Sequence, residues 1–501
     1  MRCVLFSALA LLTVVGGPAL AEYATPGNGT TYSLDDLVAV SAGAVTGAGG
    51  AYEVHDAVVI SLSDRLDIAP GSIIAFVDTA GTVGLEIHGS LVAEGSELEP
   101  ILLTCSNPFA GSWRGLDFND TGAGSEFHLA WVEIAYADIA VDVFGADILV
   151  ENCDIHHCLD KALDFSEAGG QVTGTHLHHN HQRTVNITLT SSPLIENCTF
   201  DNNNLENSSP YPYVSVGLQG TNSPTVRGCV IEGSGNEMSG GMAIWASSNA
   251  LIEGNTISGC GYGILCYSTG ANPVITGNTI LDNTIHPDQV NWGFGVACNG
   301  SNAPILTGNT ITGHWYGVAA INGGQPNLGD IVNDFPGDDG LNRITDNGLG
   351  AETYGFYNNT PLPQMAQNNF WGPVGPEDSI FHQPDDPSLG LVTWDPVASE
   401  SPALEVPGPR LLAAVRAWPN PFNPQVSVSF ELARGGHVSA VVMDLTGRLV
   451  RQLHDGDLAA GYHGLTWDGT DARGQGLASG VYFYRLVAGG ESATGKLVLV
   501  R

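Results

Sequence analysis

An all-β chain is what this sequence predicts: a long solenoid of stacked short strands followed by a small β-sandwich. Three observations carry the prediction. A short motif returns at a base step of 21 to 23 residues, a polar column is locked to that motif, and the pattern changes after residue 416. Composition agrees. With 65 glycines and only 14% charged residues, the chain should have many tight turns and few solvent-facing helices.

The chain opens Met1-Arg2, runs apolar through residues 3–15, and reaches Ala19-Leu20-Ala21 before Glu22. A basic start, a short apolar stretch and an A-x-A site read as a secretory signal peptide over residues 1–21. The apolar run falls short of the ~20 residues a membrane span needs. No later segment is apolar enough to cross a bilayer, so an exported chain without a transmembrane segment is expected. The formal net charge of -36, from 16 basic and 52 acidic residues, argues against nucleic acid as a partner. It also disfavours polyanionic glycans unless a cation bridges.

The repeat comes next. Glu151-Asn152-Cys153-Asp154-Ile155 returns as Glu196-Asn197-Cys198-Thr199-Phe200 and Arg227-Gly228-Cys229-Val230-Ile231. It then appears as Glu253-Gly254-Asn255-Thr256-Ile257, Thr276-Gly277-Asn278-Thr279-Ile280 and Thr307-Gly308-Asn309-Thr310-Ile311. The closing apolar residues, with weaker copies, fall at 134, 155, 177, 200, 231, 257, 280, 311 and 344. One coil of three short strands, lengthened here and there by a loop, gives such steps. Downstream of each mark lies a second strand signal, as in Gly115-Leu116-Asp117-Phe118, Gly263-Ile264-Leu265-Cys266 and Gly295-Val296-Ala297-Cys298. Three residues after the mark stand Cys158, Asn180, Asn203, Cys260, Asn283 and Asn347. That column suits an asparagine ladder at a turn, with rungs ~4.8 Å apart.

On these residues, roughly 60 to 398 resemble the right-handed parallel β-helix family with pectate-lyase-like and NosD-like repeats. Leu85-Glu86-Ile87-His88-Gly89 and Trp113-Arg114-Gly115-Leu116 resemble that family's first turns. Asn368-Asn369-Phe370-Trp371-Gly372, with Asp385-Asp386, resembles a closing coil. Residues 22–398 are therefore expected to form the β-helix with a cap at each end.

A proline-bearing linker is expected over 399–416, and residues 417–501 then alternate in short strands such as Val426-Ser427-Val428-Ser429-Phe430. The combination Pro419-Asn420-Pro421-Phe422-Asn423-Pro424, Asp444-Leu445-Thr446-Gly447-Arg448, Trp467-Asp468-Gly469 and Gly480-Val481-Tyr482-Phe483-Tyr484 resembles the FlgD-like Ig module. It also resembles the type A C-terminal sorting domain of type IX secretion. The resemblance implies contact with outer-membrane secretion machinery or the cell envelope. It implies a secreted or surface location in a didermic bacterium, with the tail cleaved or used for attachment.

Chemistry is less legible. Aligning coils on the mark puts Asp117, Asp142, Asp164 and Asn186 at outward positions of successive strands, with Lys161 and Arg183 beside them. Three stacked carboxylates repel unless a proton is shared or a cation joins them, and oxygen-rich stacks suit calcium. Lyase relatives imply a uronate bound through calcium at Asp117, Asp142 and Asp164, with Lys161 or Arg183 as the base. The plainer reading is a solvated face whose charges pair. No N-T-D string is present. His156, His157, His178, His179 and His181 lack a fixed metal-ligand frame and read as solvated turn residues.

Tyr262, Phe294, Tyr316 and Tyr354 form a further stripe. It would stack sugar rings if exposed, and would be a core stack if turned inward. Of nine cysteines, eight follow the leader. Both disulfides and stacked thiols remain open for them. Rung spacing wider than the ~3.8 Å Cβ separation of a disulfide favours thiols for Cys198/Cys229 and Cys266/Cys298. The leading expectation is a non-catalytic exported surface protein, structural or glycan-contacting. The alternatives are a polysaccharide lyase or glycoside hydrolase in the early coils, and a periplasmic NosD-like accessory protein.

Overall fold

The computed structural model describes residues 22–499 apart from 78–80, 120–124, 218, 234, 289–290, 334, 351, 399–411, 419–421, 423–424, 433–434, 444–447, 460 and 489–490. The leader, most of the linker, and most of the P-N-P-F-N-P and D-x-x-G-R strings lie outside the described residues. Two compact units result, residues 1–402 and 403–501.

The first unit is a parallel β-helix of three sheets. The first sheet has 14 strands, from Glu22–Ala24 to Ile380–Phe381; the second has 11, from Thr31–Tyr32 to Ile305–Thr307; the third has 13, from Val45–Ala48 to Arg343–Thr345. Each coil visits the three in turn, as Ile139–Phe144, Asp147–Glu151 and Asp154–His156 do. Among the described residues pairing within these three sheets is parallel, except where Val45–Ala48 and Ala51–Val54 form a hairpin; a second small hairpin pairs Gly348–Leu349 with Glu352–Thr353. The helix Leu34–Val40 lies at this N-terminal end, held by a capping box between Ser33 and Asp36. The repeat marks stack rung on rung in the third sheet, Ile134 on Ile155, Leu177, Phe200, Ile231, Ile257, Ile280, Ile311 and Ile344. All are fully buried. Each such side chain leaves water at a gain of roughly 1.5–3 kcal/mol.

Two turns explain the motif. Entering the third sheet, the chain adopts left-handed φ at Asn152 (52°), Gly174 (59°), Asn197 (54°), Gly228 (61°), Gly254 (63°), Gly277 (64°), Gly308 (64°), Leu341 (64°) and Asn368 (57°). Only glycine and asparagine adopt that region at low strain, hence the recurring Asn or Gly. The next residue turns inward: Cys153, Thr175, Cys198 and Cys229 in the earlier coils, then Asn255, Asn278, Asn309, Asn342 and Asn369. The asparagines form a buried ladder. Asn278 Nδ2 donates to Asn309 Oδ1 (3.0 Å), and Asn309 Nδ2 donates to Asn342 Oδ1 (2.9 Å). Leaving the third sheet, His157, His179, Asn202, Asp282 and Asp346 take left-handed φ. The column Cys158, Asn180, Asn203, Cys260, Asn283 and Asn347 follows, with His314 inserted between Asn283 and Asn347. All eight cysteines from Cys105 to Cys298 are buried free thiols.

The second unit is an antiparallel sandwich. Strands Leu412–Trp418, Val426–Leu432 and Gly461–Trp467 face a sheet of Leu449–Leu458, Gly436–Met443, Gly480–Ala488 and Glu491–Leu499. Trp467 is buried between Phe422 (5.3 Å) and Tyr482 (5.1 Å).

Candidate functional site

The outer face of the first sheet carries one column of facing residues along the β-helix. It runs Glu86, Asp117, Asp142, Asp164, Asn186 and Ser215, and continues Ala243, Leu265, Ala297, Ala319, Tyr357 and Phe381. The first half is acidic or polar and the second half apolar, so one strand position changes character midway along the solenoid.

In the acidic half the flanking carboxylates are paired and the middle one is not. Arg114 bonds Asp117 and lies 3.6 Å from Glu86, while Asn119 Nδ2 donates to Asp117 Oδ1 at 2.8 Å. Lys161 Nζ sits 3.2 Å from Asp164 Oδ2 and 2.6 Å from Asp160 Oδ2, and Asn186 Nδ2 donates to Asp164 Oδ1 at 2.8 Å. Arg183 is 3.1 Å from Asp160 and lies over the Tyr211 ring. Among the described side chains none bonds the carboxylate of Asp142. Burial first, then the charges of Asp164 and Asp117, push that carboxyl up to about 6. Burial alone would lower Lys161, but Asp164 and Asp160 outweigh it and hold the ammonium protonated.

The register thus brings Asp117, Asp142, Asp164, Asn186, Lys161 and Arg183 into one patch. Both cations are spoken for, which leaves neither poised as a base for β-elimination. A calcium ion would take six to eight oxygens and compete with Arg114 and Lys161 for the carboxylates beside Asp142. The donor set therefore fits a proton held on Asp142 better than a calcium cage.

In the apolar half, aromatic rings cover the same face. Phe294 stacks on Tyr316 at 5.3 Å, Tyr316 meets Tyr357 at 5.0 Å and Tyr354 at 5.3 Å, and Tyr357 stacks on Phe381 at 5.2 Å. Phe294, Ala297 and Ala319 form a small buried cluster of their own, separate from the core inside the coils. Tyr316, Tyr354, Tyr357 and Phe381 remain half-buried. Tyr262 is buried beside Trp292 (5.6 Å), its ring lying where a side chain at Gly240 would stand. Tyr357 and Phe381 escaped the sequence reading because they lie in coils whose repeat mark is degraded; the alternation Phe356-Tyr357-Asn358 was the available signal. The histidines differ from expectation too. His156 and His178 are strand residues with stacked rings rather than solvated turn residues, because their outward positions face each other across one rung.

A model of the right handed beta helix region matches residues 121–209 and 202–330, and one of the FlgD Ig-like domain matches residues 420–492. The chain carries a right-handed β-helix region and an FlgD Ig-like domain. Basal-body rod modification protein FlgD of Salmonella typhimurium (strain LT2) and that of Salmonella typhi are each 34% identical to it over 84 residues, 17% of this chain and 36% of theirs. The chain spans about a third of the length of these curated relatives. Among solved structures, Geobacillus virus E2 ORF18 aligns with 94% of this chain and 71% of its own at 12% identity, with a TM-score of 0.32. Full-length tailspike protein 2 from Escherichia coli O157:H7 bacteriophage CAB120 aligns with 94% and 64% at 11% identity, with a TM-score of 0.24.

Proposed function

We propose that this chain is an exported surface protein whose β-helix contacts glycans through the outer face of its first sheet, and whose FlgD Ig-like domain serves delivery or attachment. The observation that carries the reading is the divided column, carboxylates and amides from Glu86 to Asn186 and aromatic rings around Tyr316, Tyr357 and Phe381. Flat apolar faces stack on sugar rings, and carboxylates accept from hydroxyls. The strongly acidic chain favours neutral or amino sugars over polyanions. Export through a type IX route rests on the tail's motifs, and appearance of the full chain but not of a 1–402 truncation outside cells would support it.

The test of the binding reading is a glycan array probed with the full chain and with Tyr316→Ala/Tyr357→Ala. Binding that falls at least about tenfold in the double variant supports it, at ~1–3 kcal/mol per lost stacking ring by analogy with base stacking. Equal binding, or none by either protein, overturns it.

One observation favours a second reading, a glycoside hydrolase of the early coils. Asp142, pushed up to about 6, stands one rung from Asp164, which Lys161 and Asn186 hold. Two carboxyl groups at ~4.8 Å rung spacing, one of them pushed up by burial, are close to the ~5–5.5 Å separation of retaining glycosidases. Reducing-sugar release that disappears in Asp142→Asn would put this reading first.

A further inference from the structure

The third sheet presents a second cluster, away from the first-sheet face. Parallel register sets Asp154 beside His176 and His156 beside His178, so four outward residues occupy the corners of a rectangle ~4.8 Å by ~6.6 Å. Glu133 and Asp201 continue the two columns below and above. Asp154 Oδ1 lies 2.8 Å from His178 Nε2 and 3.7 Å from His176 Nδ1, and the three ligand atoms all fall within 4.8 Å of one another. A tetrahedral ion with bonds of ~2.0–2.1 Å holds its ligand atoms about 3.4 Å apart, between those two distances.

The far nitrogen of each imidazole is already engaged. His176 Nε2 meets Asp201 Oδ2 at 2.6 Å, and His178 Nδ1 meets His179 Nδ1 at 2.7 Å. Such outer partners fix ring orientation and tautomer in metal sites. The near nitrogens are thereby left to converge on Asp154.

We propose that Asp154, His176 and His178 bind a divalent transition cation, with zinc the fitting probe and a fourth position open to solvent or ligand. Two imidazoles and one carboxylate select such ions over calcium or magnesium, which take oxygen. The signal in the sequence is the H-x-H of His176-Leu177-His178, one 22-residue step after Asp154-Ile155-His156.

The experiment is calorimetric titration of zinc chloride into the untagged full chain after chelator stripping, repeated with His176→Ala, His178→Ala and, as a control elsewhere on the solenoid, His88→Ala. One equivalent bound by the wild type and by the control, weakened at least about tenfold in both site variants, is expected. Zinc should also raise the unfolding midpoint of the wild type and of the control, and not that of the site variants. No uptake by the wild type, uptake unchanged in both site variants, or displacement by millimolar calcium overturns the proposal. Should a site variant misfold, His178→Gln, which keeps a hydrogen-bonding head, gives the same reading.

Discussion

The earlier and later coils share a backbone and differ in nearly everything attached to it. Up to Cys229 the inward turn position holds Cys153, Thr175 and Cys198, and the first sheet's outer column is acidic or polar from Glu86 to Ser215. From Asn255 onward the same turn position holds an unbroken amide ladder, and the outer column is aliphatic and aromatic. Rung spacing and left-handed turns are common to both, so the fold needs only the apolar marks and a residue that tolerates φ near +60°. What fills the turn decides how tightly successive coils are tied. What faces outward sets the chemistry each half presents at its surface.

The largest effect that would break this comparison lies inside the ladder. Asn309 donates to Ile275 O (2.8 Å) and to Asn342 Oδ1 (2.9 Å), and accepts from Asn278 N and Nδ2, each at 3.0 Å. Asn309→Ala strands several of these fully buried groups, at roughly 1–3 kcal/mol each, and is expected to lower stability by about 3–5 kcal/mol. Cys229→Ala in the earlier coils, which removes a thiol that bonds Arg227 O weakly at 3.4 Å and Ile195 O at 3.7 Å, is expected to cost about 1 kcal/mol. Urea midpoints of the two variants check this. Similar losses would show that thiol and amide rungs are equivalent.

The ladder also shows where the sequence was readable. The marks from Ile134 to Ile344 and the column from Cys158 to Asn347 could be placed because the third sheet tolerates no insertion between a mark and the following turn. His314 was missed because no asparagine marks that rung, although its place between Asn283 and Asn347 is set by the same step. Stacking of Asp117, Asp142, Asp164 and Asn186 could be read from spacing. The pairing of Lys161 with Asp160, and the isolation of Asp142, could not, because both depend on rotamers and burial rather than on register. The aromatic cover was half visible: Tyr316 and Tyr354 precede glycines of the repeat, whereas Tyr357 and Phe381 do not.

The two regions should also respond to pH with opposite sign in one window. Buried His314, in the later coils, is pushed down to about 4 chiefly by burial. The unfolded chain therefore takes up a proton that the native chain refuses, and stability falls as pH drops from 6.5 towards 4. Asp142, in the earlier coils, is pushed up from 3.8 to about 6. The native chain holds that proton more tightly than the unfolded chain, so stability falls as pH rises from about 4 to 6 and stays lower above. His314→Asn, which keeps an amide on the rung, should recover on the order of 1–3 kcal/mol at the acid end of the window relative to pH 7. Asp142→Asn should add on the order of 1–3 kcal/mol above pH 6 and nothing below pH 4. Midpoint-against-pH curves for the two variants decide it: parallel displacements of both would mean that neither group titrates as its surroundings dictate.

The smallest effect sharpens the comparison at its weakest later rung. Leu341 occupies the left-handed turn position, at φ 64°, where the neighbouring rungs have Gly308 and Asn368. A clash of Cβ with the following carbonyl oxygen makes that region roughly 1–2 kcal/mol unfavourable for most L-residues. The leucine side chain is 47% exposed, so little packing offsets the strain. Leu341→Gly relieves the clash but enlarges the freedom of the unfolded chain, at about 0.5–1 kcal/mol. Leu341→Asn tolerates the same φ without that entropic loss, as Asn152 and Asn197 do in the earlier coils. The expected order of unfolding midpoints is therefore Asn above Gly, and Gly level with or just above Leu. A wild-type leucine more stable than both would mean that its exposed half packs better than its burial indicates, and that the later coils draw on side-chain contact even at their turns.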